Sequence, residues 1–458
     1  MTETTINARI NQTTNDTVPA GAWYALGICT FALMFNFLDR SILTLLVEPI
    51  KRDLHLTDTQ MSFIIGFAFV SFYAIVGFPI ARLVDSHSRR FILGIGIAMW
   101  SGMTAVCGLA NHFWHLFFAR LGVGVGEACN GPATFSLLSD LFPKEKLPKA
   151  ISILNMGFVS GQGISFLVGG TVIGLISSMP QITLPLLGEV RPWQMTFMAV
   201  GIPGLLLAAA MLFTVKEPPR RGLIAADGGG SAPGKVKPLP VKEVIRFLLD
   251  NKRAYMPMFL GLAVQSIMAI GVISWLPTFF IRQYGWSIAK FGLYQGLIML
   301  IIAPIGLMLG ARLAEYFDKK GYDDANVRVV FIAAVLMFFP QVLFPLMPNP
   351  YVALALLAIL NFVLSLAPGP QNAAFQVITP NQIRGQVTAI YIFILNIVGF
   401  GLGPVFIAVL TDYVFGSEAQ LGHAMSLAAL IMEPLAALIF WLALKPYGEC
   451  YARARTWS

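Results

Sequence analysis

The chain has 458 residues, of which 57% are hydrophobic and 12% are charged, and its formal net charge is +8. Soluble domains carry about 25% charged residues, so this composition excludes a soluble globular protein and indicates an integral, multi-pass membrane protein. The basic residues are spread over the loops between apolar segments, which excludes nucleic acid as a partner and favours contact with membrane lipids.

Twelve apolar segments follow a polar N-terminal stretch. Residues 1–21 contain a single Arg and no apolar core, so we expect a disordered cytoplasmic tail and no cleaved signal peptide. Each apolar segment is long enough to cross a hydrocarbon core of about 30 Å. The segments lie near residues 22–47, 59–83, 91–110, 113–139, 148–174, 193–215, 254–282, 288–312, 326–347, 350–376, 382–410 and 421–444.

A polar segment separates the sixth and seventh apolar segments. Residues 216–253 begin rich in Pro, Gly and Ser and end in an amphipathic stretch, which predicts a cytoplasmic linker with an amphipathic helix. The linker divides a six-helix N-terminal half, residues 22–215, from a six-helix C-terminal half, residues 254–444. Residues 445–458 are expected to form a second cytoplasmic tail.

The distribution of basic residues predicts the orientation in the membrane. Of the 31 Lys and Arg residues, 24 fall in the tails and in loops on the side of the termini, and five fall in loops on the other side. The positive-inside rule therefore places both termini in the cytoplasm. We expect a monomer in the plasma (inner) membrane.

The two halves repeat short motifs at equivalent places. "ARLVD" (81–85) follows the second apolar segment and "ARLAE" (311–315) follows the eighth, and a Gly-Pro pair at 131–132 in the fourth segment returns at 369–370 in the tenth. These repeats predict an all-α membrane protein with two pseudo-symmetric halves and a substrate site between them.

The first repeated loop carries a family resemblance. "ARLVDSHSRRFIL" resembles the signature loop of the major facilitator superfamily, a Gly-x-Leu-Ala-Asp-Arg-x-Gly-Arg-Lys pattern between the second and third helices. Asp85, Arg89 and Arg90 match this pattern, whereas Ser86 and Ser88 depart from it. The resemblance implies the twelve-helix major facilitator fold.

The charged residues of the repeated loops are candidates for a cytoplasmic gate. A carboxylate at Asp85 is favoured by about 1 kcal/mol or less near the exposed amides at the start of a helix. We expect Asp85, Arg89 and Arg90, with Glu315 of the second half, to help hold the cytoplasmic side shut. The alternative is that these charges only set the topology.

The fourth apolar segment, "FWHLFFARLGVGVGEACNGPATFSLLSDLFP", carries ionisable residues on one helical face. Arg120, Glu127 and Thr134 recur at helical spacing, with small residues between them. At a rise of 1.5 Å per residue, Arg120 lies about 10 Å from the outer end of its helix, and Asp39 lies about 12 Å from the outer end of the first helix. We therefore expect Asp39 and Arg120 to pair across the cavity of the first half.

Arg40 follows Asp39 directly and therefore points about 100° away from it around the helix. It must find another partner, or reach Glu127 or the substrate by its length. Because ionisable residues inside membranes usually mark ion or substrate paths, we interpret Glu127 and Asp39 as proton-coupling acids, with Arg120 and Arg40 as their ion-pair partners. Protonation would free an arginine and change the favoured helix arrangement. A static network that joins the first and fourth helices is the alternative.

No catalytic or cofactor motif accompanies these charges. The sequence contains no HExxH, no Gly-x-Ser-x-Gly and no Walker-type phosphate loop, which argues against an enzyme and against an ATP-driven pump. The four cysteines form no CxxC pattern, so we predict no disulfide framework, metal site or cofactor.

The second half offers polar but uncharged candidates for the substrate cavity. Asn361, Ser365 and Asn372 follow one face of the tenth segment, and Gln265 and Trp275 lie in the seventh. We expect these residues to line the cavity together with three residues of the first half, which are Asn36, Phe37 and Thr134. Charges in one half and softer groups in the other suit an amphipathic ligand. The alternative is that the amides only bond neighbouring helices.

Further motifs carry a closer resemblance. "NFLDR" (36–40), "RLGVGVGEA" (120–128), "SLLSDLFPKE" and "SWLP" (274–277) resemble bacterial members of the spinster family of the major facilitator superfamily. This resemblance implies transport of lysolipids or sphingoid phosphates, with Glu127 as the proton-responsive acid. Phe37 departs from the Tyr that the family often has at this position. "NxxDR" and "GEA" also resemble relatives that import organic acids.

These observations predict a secondary transporter that moves an amphipathic, lipid-like substrate by alternating access and that protons drive or gate. A proton-coupled organic-anion symporter is the alternative within the same class. A lipid-sensing membrane receptor that does not transport is the alternative from another class.

Overall fold

The computed structural model describes residues 18–143, 145–179, 182–184, 188–220, 241–380 and 382–455. The helices of the N-terminal half are α1 (Ala20–Leu45), α2 (Val47–Leu54), α3 (Asp58–Ser62), α4 (Ala68–Ser86), α5 (Arg89–Cys107), α6 (Phe113–Glu127), α7 (Asn130–Leu141), α8 (Leu147–Ser177) and α9 (Pro192–Thr214). The remaining helices are α10 (Val241–Asp250), α11 (Lys252–Tyr284), α12 (Ile288–Lys319), α13 (Ala325–Leu343), α14 (Pro350–Leu366), α15 (Pro368–Val377), α16 (Arg384–Ile394), α17 (Gly401–Val409) and α18 (Leu421–Ala454).

Several of these helices join into longer membrane spans. A π-helical turn, Phe63–Phe67, connects α3 to α4, and two more, Leu395–Phe400 and Leu410–Phe415, extend α16 and α17 into one span. Within the described residues, eleven stretches are long and apolar enough to cross a membrane. The remaining span, the fourth, consists of α6 and α7, so the predicted twelve-span fold is confirmed.

The fourth span is interrupted between Glu127 and Asn130. Pro132 lies in the first turn of α7, and because proline has no N–H it cannot donate to the carbonyl of Ala128. Gly124, just before the break, lets α6 approach α4 closely, since a Cβ there would lie 2.3 Å from the carbonyl oxygen of Phe69. The sequence GVGVGEACNGP thus brings Glu127 deep into the packed interior of the N-terminal half.

Two features depart from the sequence-based outline. A short antiparallel pair, β1 (Ile182–Leu184) and β2 (Gly188–Val190), lies in the loop between the fifth and sixth spans, an addition to the all-α prediction. The last helix runs to Ala454, ten residues beyond the boundary drawn at residue 444. Its extension packs because Tyr447 is buried and donates a hydrogen bond to the carbonyl of Ala374 over 3.3 Å.

Both ends of the described chain lie on one side of the membrane, which we call the terminal side. Twelve crossings return the chain to the side from which it started. At the first end, Trp23 packs against Phe142 with ring centroids 5.0 Å apart. At the other, Arg455 pairs with Asp323 at 3.3 Å. We call the other membrane surface the opposite side.

The halves are closed against each other on the opposite side. Arg282 of the C-terminal half binds Glu48 at 2.7 Å and both carboxylate oxygens of Asp58 at 2.7 and 2.8 Å in the N-terminal half. In turn, Lys51 binds Asp58 and reaches Glu418 across the interface at 2.7 Å. We call these five residues the opposite-side seal. Charges that the sequence showed only as loop residues therefore fasten the two halves together.

Candidate functional site

A cavity of about 910 Å³, counted with the solvent space at its mouth, lies between the two halves. Its lining from the N-terminal half consists of Phe37, Arg40, Ser41, Thr44, Ile65, Phe69, Arg120, Gln162 and Phe166. Its lining from the C-terminal half consists of Ala269, Ile270, Ile273, Ser274, Leu364 and Phe400. We call this space the central cavity.

The two walls of the central cavity differ in chemistry. The N-terminal wall carries two guanidinium groups, those of Arg40 and Arg120, together with hydroxyl and amide groups. The C-terminal wall is apolar except for Ser274. A ligand that fills the cavity therefore meets guanidinium, hydroxyl and amide groups on one side and hydrocarbon on the other.

Asp39 and Arg120 form a buried ion pair beside this cavity. The Nη1 group of Arg120 donates a 2.9 Å hydrogen bond to Oδ2 of Asp39, and the side chains are 1% and 3% exposed. Thr104 of α5 donates its hydroxyl to the other oxygen, Oδ1. Counting depth along the first and fourth spans of the sequence thus predicted the contact between Asp39 and Arg120. Because Thr104 belongs to a third span, three spans meet at the carboxylate of Asp39.

Arg40 has its own partner, which is Glu127. Its Nε and Nη2 groups donate hydrogen bonds of 3.1 and 2.7 Å to the same oxygen, Oε2, of Glu127. Glu127 is fully buried, whereas the Arg40 side chain is 20% exposed toward the cavity. Oε1 of Glu127 is buried and has no hydrogen-bond partner among the residues that the structure describes. The two adjacent charges of "LDR" therefore serve separate ion pairs, because neighbours on a helix point apart.

Aromatic rings from both halves enclose the Arg40 guanidinium. Its Cζ atom lies 4.3 Å from the ring centroid of Phe69 and 5.1 Å from that of Phe400. Phe69 belongs to the N-terminal half and Phe400 to the C-terminal half. Each such cation–π contact contributes about 0.5–2 kcal/mol, depending on desolvation. Arg40 thus links the buried acid, the cavity and the opposite half.

The predicted cavity residues of the first half lie at different places in the structure. Phe37 lines the central cavity, but Asn36 and Thr134 are buried and lie outside its lining. Thr134 instead hydrogen-bonds Asn130 at 3.2 Å within α7. The prediction assumed one continuous helical face, whereas the break after Glu127 interrupts that face.

Two of the predicted residues of the second half, Gln265 and Asn361, line a different cavity inside their own half. Polarity alone does not tell a helix face that meets the central cavity from one that meets its neighbours. In this structure Gln265 and Asn361 lie outside the lining of the central cavity.

The other three predicted cavity residues of the second half are Trp275, Ser365 and Asn372. Trp275 is fully buried and donates its Nε1–H to the carbonyl of Pro404 over 2.9 Å. Ser365 donates its hydroxyl to the carbonyl of Asn361 over 2.8 Å. Asn372 is exposed. None of the three belongs to the lining of the central cavity in this structure.

Several lining residues were missed by the sequence reasoning. Ser41 and Thr44 continue the helix face of the predicted residues Phe37 and Arg40 in an i, i+3, i+4, i+7 pattern, so this part of the lining had a readable signal. Ser41 also hydrogen-bonds Ser165 of α8 at 2.7 Å. Phe400 had no such signal, because its place depends on how the two halves dock.

The proposed gate residues bind within their own half in this structure. The guanidinium of Arg89 donates to Glu217 at 2.7 Å and also binds Asp140. The backbone N–H of Arg90 donates to Glu217 at 2.8 Å. Glu315 pairs locally with Lys319, and the side chain of Asp85 lies outside the described residues. The described gate residues therefore make no ion pair between the halves while the opposite side is closed.

Glu217 is the centre of this cluster on the terminal side. Partial burial raises the pKa of its carboxyl, but donors from the backbone of Arg90, the Arg89 guanidinium and the Ser88 hydroxyl outweigh that effect. The net result is a pKa below its ordinary value. Glu217 therefore stays ionised and holds the start of α5.

Two six-helix halves around a central cavity, with ion pairs buried beside it, define a membrane transporter fold. The family model of the Major Facilitator Superfamily matches residues 29–404, and the chain belongs to that superfamily. An MFS-type efflux pump of Mycolicibacterium smegmatis is 25% identical over 441 residues, which cover 94% of each chain. A hexuronate transporter of Bacillus subtilis is 26% identical over 392 residues, which cover 83% of this chain and 85% of the relative.

A solved structure shares the fold over nearly the whole chain. It is a bacterial homologue of the human lysosomal transporter Spinster, in an inward-facing and unoccupied conformation. The TM-score is 0.77 at 24% identity, and the match covers 95% of this chain and 98% of the other. The predicted resemblance to spinster proteins is thereby confirmed at the level of the fold.

Proposed function

We propose that this protein is a secondary transporter that carries an amphipathic, lipid-like molecule with an anionic or zwitterionic head group, of the lysolipid or sphingoid phosphate type. It alternates access between the two sides of the membrane, and protons drive or gate it through Glu127 and Asp39.

The observation that carries the proposal is the two-sided chemistry of the central cavity. The guanidinium groups of Arg40 and Arg120 can receive a phosphate or carboxylate head group by charge-assisted hydrogen bonds. The apolar C-terminal wall, with Ile270, Ile273 and Leu364, can accommodate an acyl chain. An amphipathic ligand satisfies both walls at once.

The proton-responsive element is the pair of Glu127 and Arg40. With Glu127 ionised, Arg40 is held at 2.7 Å and its charge is balanced. A proton on Glu127 removes that balance, so the guanidinium becomes available to an anionic head group in the cavity. Because Arg40 also contacts Phe400 of the other half, its release alters a contact between the halves.

Alternation requires the opposite-side seal to open. Arg282 satisfies two carboxylates across the interface, so separating the halves exposes these charges to water, which solvates them. Because hydration offsets the lost attraction, the closed and open states can lie within a few kcal/mol of each other.

A proton-coupled organic-anion symporter is the second candidate, supported by the similarity to the hexuronate transporter. The two guanidinium groups suit a sugar acid as well as a lipid head group. A sugar acid, however, carries hydroxyl groups that need hydrogen-bond partners on every side, and the C-terminal wall supplies one hydroxyl, that of Ser274. The apolar wall therefore favours the lipid-like substrate.

The distinguishing experiment is uptake into proteoliposomes of purified protein. Labelled lysophospholipid, labelled sphingoid phosphate and labelled hexuronate are offered in turn, with empty liposomes as the control. We expect saturable uptake of a lipid-like substrate and none of hexuronate. Hexuronate uptake alone would favour the symporter, and saturable binding without accumulation would favour a receptor.

For the cellular setting, we propose a monomer in the plasma membrane with both termini in the cytoplasm, as the basic residues of the terminal side indicate. A reporter that is active only in the cytoplasm, fused after residue 458, is expected to be active. A periplasmic phosphatase reporter at the same site is expected to be silent, and the reverse pattern would contradict this orientation.

A further inference from the structure

A second cavity lies entirely within the C-terminal half, apart from the site assigned to the substrate. Gln265, Gln295, Gln341, Asn361 and Glu433 line it, from five different helices, α11, α12, α13, α14 and α18. Counted in the same way as the central cavity, its volume is about 430 Å³, and the part open to the centres of water-sized spheres is about 30 Å³. About 10–15 Å³ of such space holds one water molecule, so the cavity accepts one or two small guests and no organic substrate.

The polar groups around this cavity are buried and incompletely satisfied. Glu433 and Gln295 are each 1% exposed, and among the described residues Oε2 of Glu433, Oε1 of Gln295 and the donor Nε2 of Gln265 have no hydrogen-bond partner. Asn361 uses its Nδ2 group on the carbonyl of Leu357 at 2.8 Å, which leaves its oxygen for a guest. Two acceptors, one of them a carboxylate, thus lack a donor or a cation.

No basic side chain forms an ion pair with Glu433 within the part of the chain that the structure describes. An isolated ionised carboxylate in a protein interior is strongly disfavoured unless a positive charge accompanies it. Water can donate hydrogen bonds but cannot balance the charge. Either a proton on the carboxylate or a small cation held by oxygen ligands can balance this charge, and the cavity has room for the cation.

We propose that Glu433, with the amide oxygens of Gln295, Asn361 and their neighbours, forms a binding site for one monovalent metal cation of the size of Na⁺. One carboxylate balances one monovalent charge, whereas a divalent ion would leave a net positive charge in the interior. Hard cations prefer carboxylate and amide oxygens over nitrogen or sulfur ligands. The site goes beyond the proposed function, because it lies outside the proposed proton and substrate sites.

The position of the site gives the cation a route to influence transport. Ala269, Ile273 and Leu364 line both the small cavity and the central cavity. A cation that draws five helices together therefore also fixes the apolar wall that we assign to the substrate chain. The first expected consequence of cation binding is a C-terminal half that is more stable against unfolding. This stability can be measured without any substrate.

Thermal unfolding of the full-length protein in detergent tests the site directly. NaCl replaces choline chloride at constant ionic strength and alkaline pH, with LiCl and KCl in parallel. We expect Na⁺ to raise the unfolding temperature in a saturable manner, and labelled Na⁺ to bind with a stoichiometry near one. Equal unfolding temperatures in all salts would overturn the proposal, since Glu433 would then hold a proton and not a metal ion.

Two variants connect the effect to these residues. Glu433→Gln removes the charge at nearly constant shape and is expected to weaken Na⁺ binding roughly tenfold or more. Gln295→Leu removes an oxygen ligand and decides the question if Glu433→Gln does not fold. The matched control is Glu315→Gln, an exposed glutamate of the same half that pairs with Lys319 and should keep the full Na⁺ response. An unchanged response in a folded Glu433→Gln or Gln295→Leu protein would show that the cation binds elsewhere.

Discussion

Arg40 donates two hydrogen bonds to a single oxygen of Glu127, and the other oxygen of that carboxylate is buried with no partner in the described part of the chain. The pair therefore combines a strong contact with an unsatisfied acceptor beside it. A proton can occupy that second oxygen with little displacement of the surrounding side chains. This geometry supports our proposal that Glu127 responds to protons.

The ion pair of Asp39 and Arg120 can be tested by exchanging its charges. Either single change, Asp39→Arg or Arg120→Asp, leaves a buried charge uncompensated and should cost about 3–5 kcal/mol of stability. The double exchange restores opposite charges at the same depth, so it should recover part of the unfolding temperature and of the transport rate. A double variant no better than the worse single variant would argue against the pair.

The enclosure of Arg40 by two aromatic rings predicts different effects for different substitutions. Arg40→Lys keeps the charge but loses one hydrogen bond to Glu127 and the planar stacking on Phe69 and Phe400. We expect transport to fall roughly tenfold, as loss of about 1.4 kcal/mol would cause, and to be abolished in Arg40→Ala. Equal transport by all three proteins would exclude Arg40 from the substrate path. Rates should be normalised to the amount of folded protein in the liposomes.

The opposite-side seal predicts that its loss shifts the conformational equilibrium. Arg282→Ala removes the link between Asp58 and the C-terminal half, and a contribution of about 1.4 kcal/mol would raise the open population about tenfold. A cysteine placed at Ser41 in the central cavity should then react faster with an impermeant thiol reagent added at the opposite side. The native thiols should react slowly with the reagent and add little background, because all four are buried: Cys29, Cys107, Cys129 and Cys450.

The matched control for this labelling is Arg52→Ala, because Arg52 is on the same side but is largely exposed and pairs only with its neighbour Asp53 in the described structure. Its labelling rate should equal that of the parent protein. A rate unchanged by Arg282→Ala would mean that other contacts keep the halves together.

The cluster around Glu217 predicts a pH-dependent contribution to stability. The folded-state pKa of Glu217 is below its ordinary value, so its contribution is fully present above that ordinary value and is lost as pH falls through the folded-state pKa. At neutral pH, Glu217→Gln should therefore unfold at a lower temperature than the parent. The difference should shrink in acid, and a constant difference across this range would contradict the linkage.

The sequence predicted the features that depend on one helix at a time, namely the length of each span and the depth of a residue within it. Hydrophobic length defined the spans, and counting from their ends brought Asp39 to the level of Arg120. The partner of Arg40 could not be chosen in the same way, because it depends on how α1 is rotated against α6. The break after Glu127 likewise moved Thr134 away from a face that looked continuous.

The faces of the second half were harder to predict for a related reason. Gln265 and Asn361 are as polar as cavity residues usually are, yet they turn toward the interior of their own half. The opposite-side seal was also missed, since Arg282 and Asp58 are 224 positions apart and both lie at the ends of apolar spans. Only the docking of the two halves brings them together.

The most direct test of the central claim is lysolipid uptake by proteoliposomes with and without an imposed pH gradient, compared between the parent protein and Glu127→Gln. We expect the gradient to change the uptake rate of the parent protein. We expect Glu127→Gln to remove this dependence on the gradient. Glu449→Gln, at an exposed glutamate of the last helix, should respond as the parent does. An identical response to the gradient in Glu127→Gln and in the parent would show that Glu127 is not the proton-responsive acid.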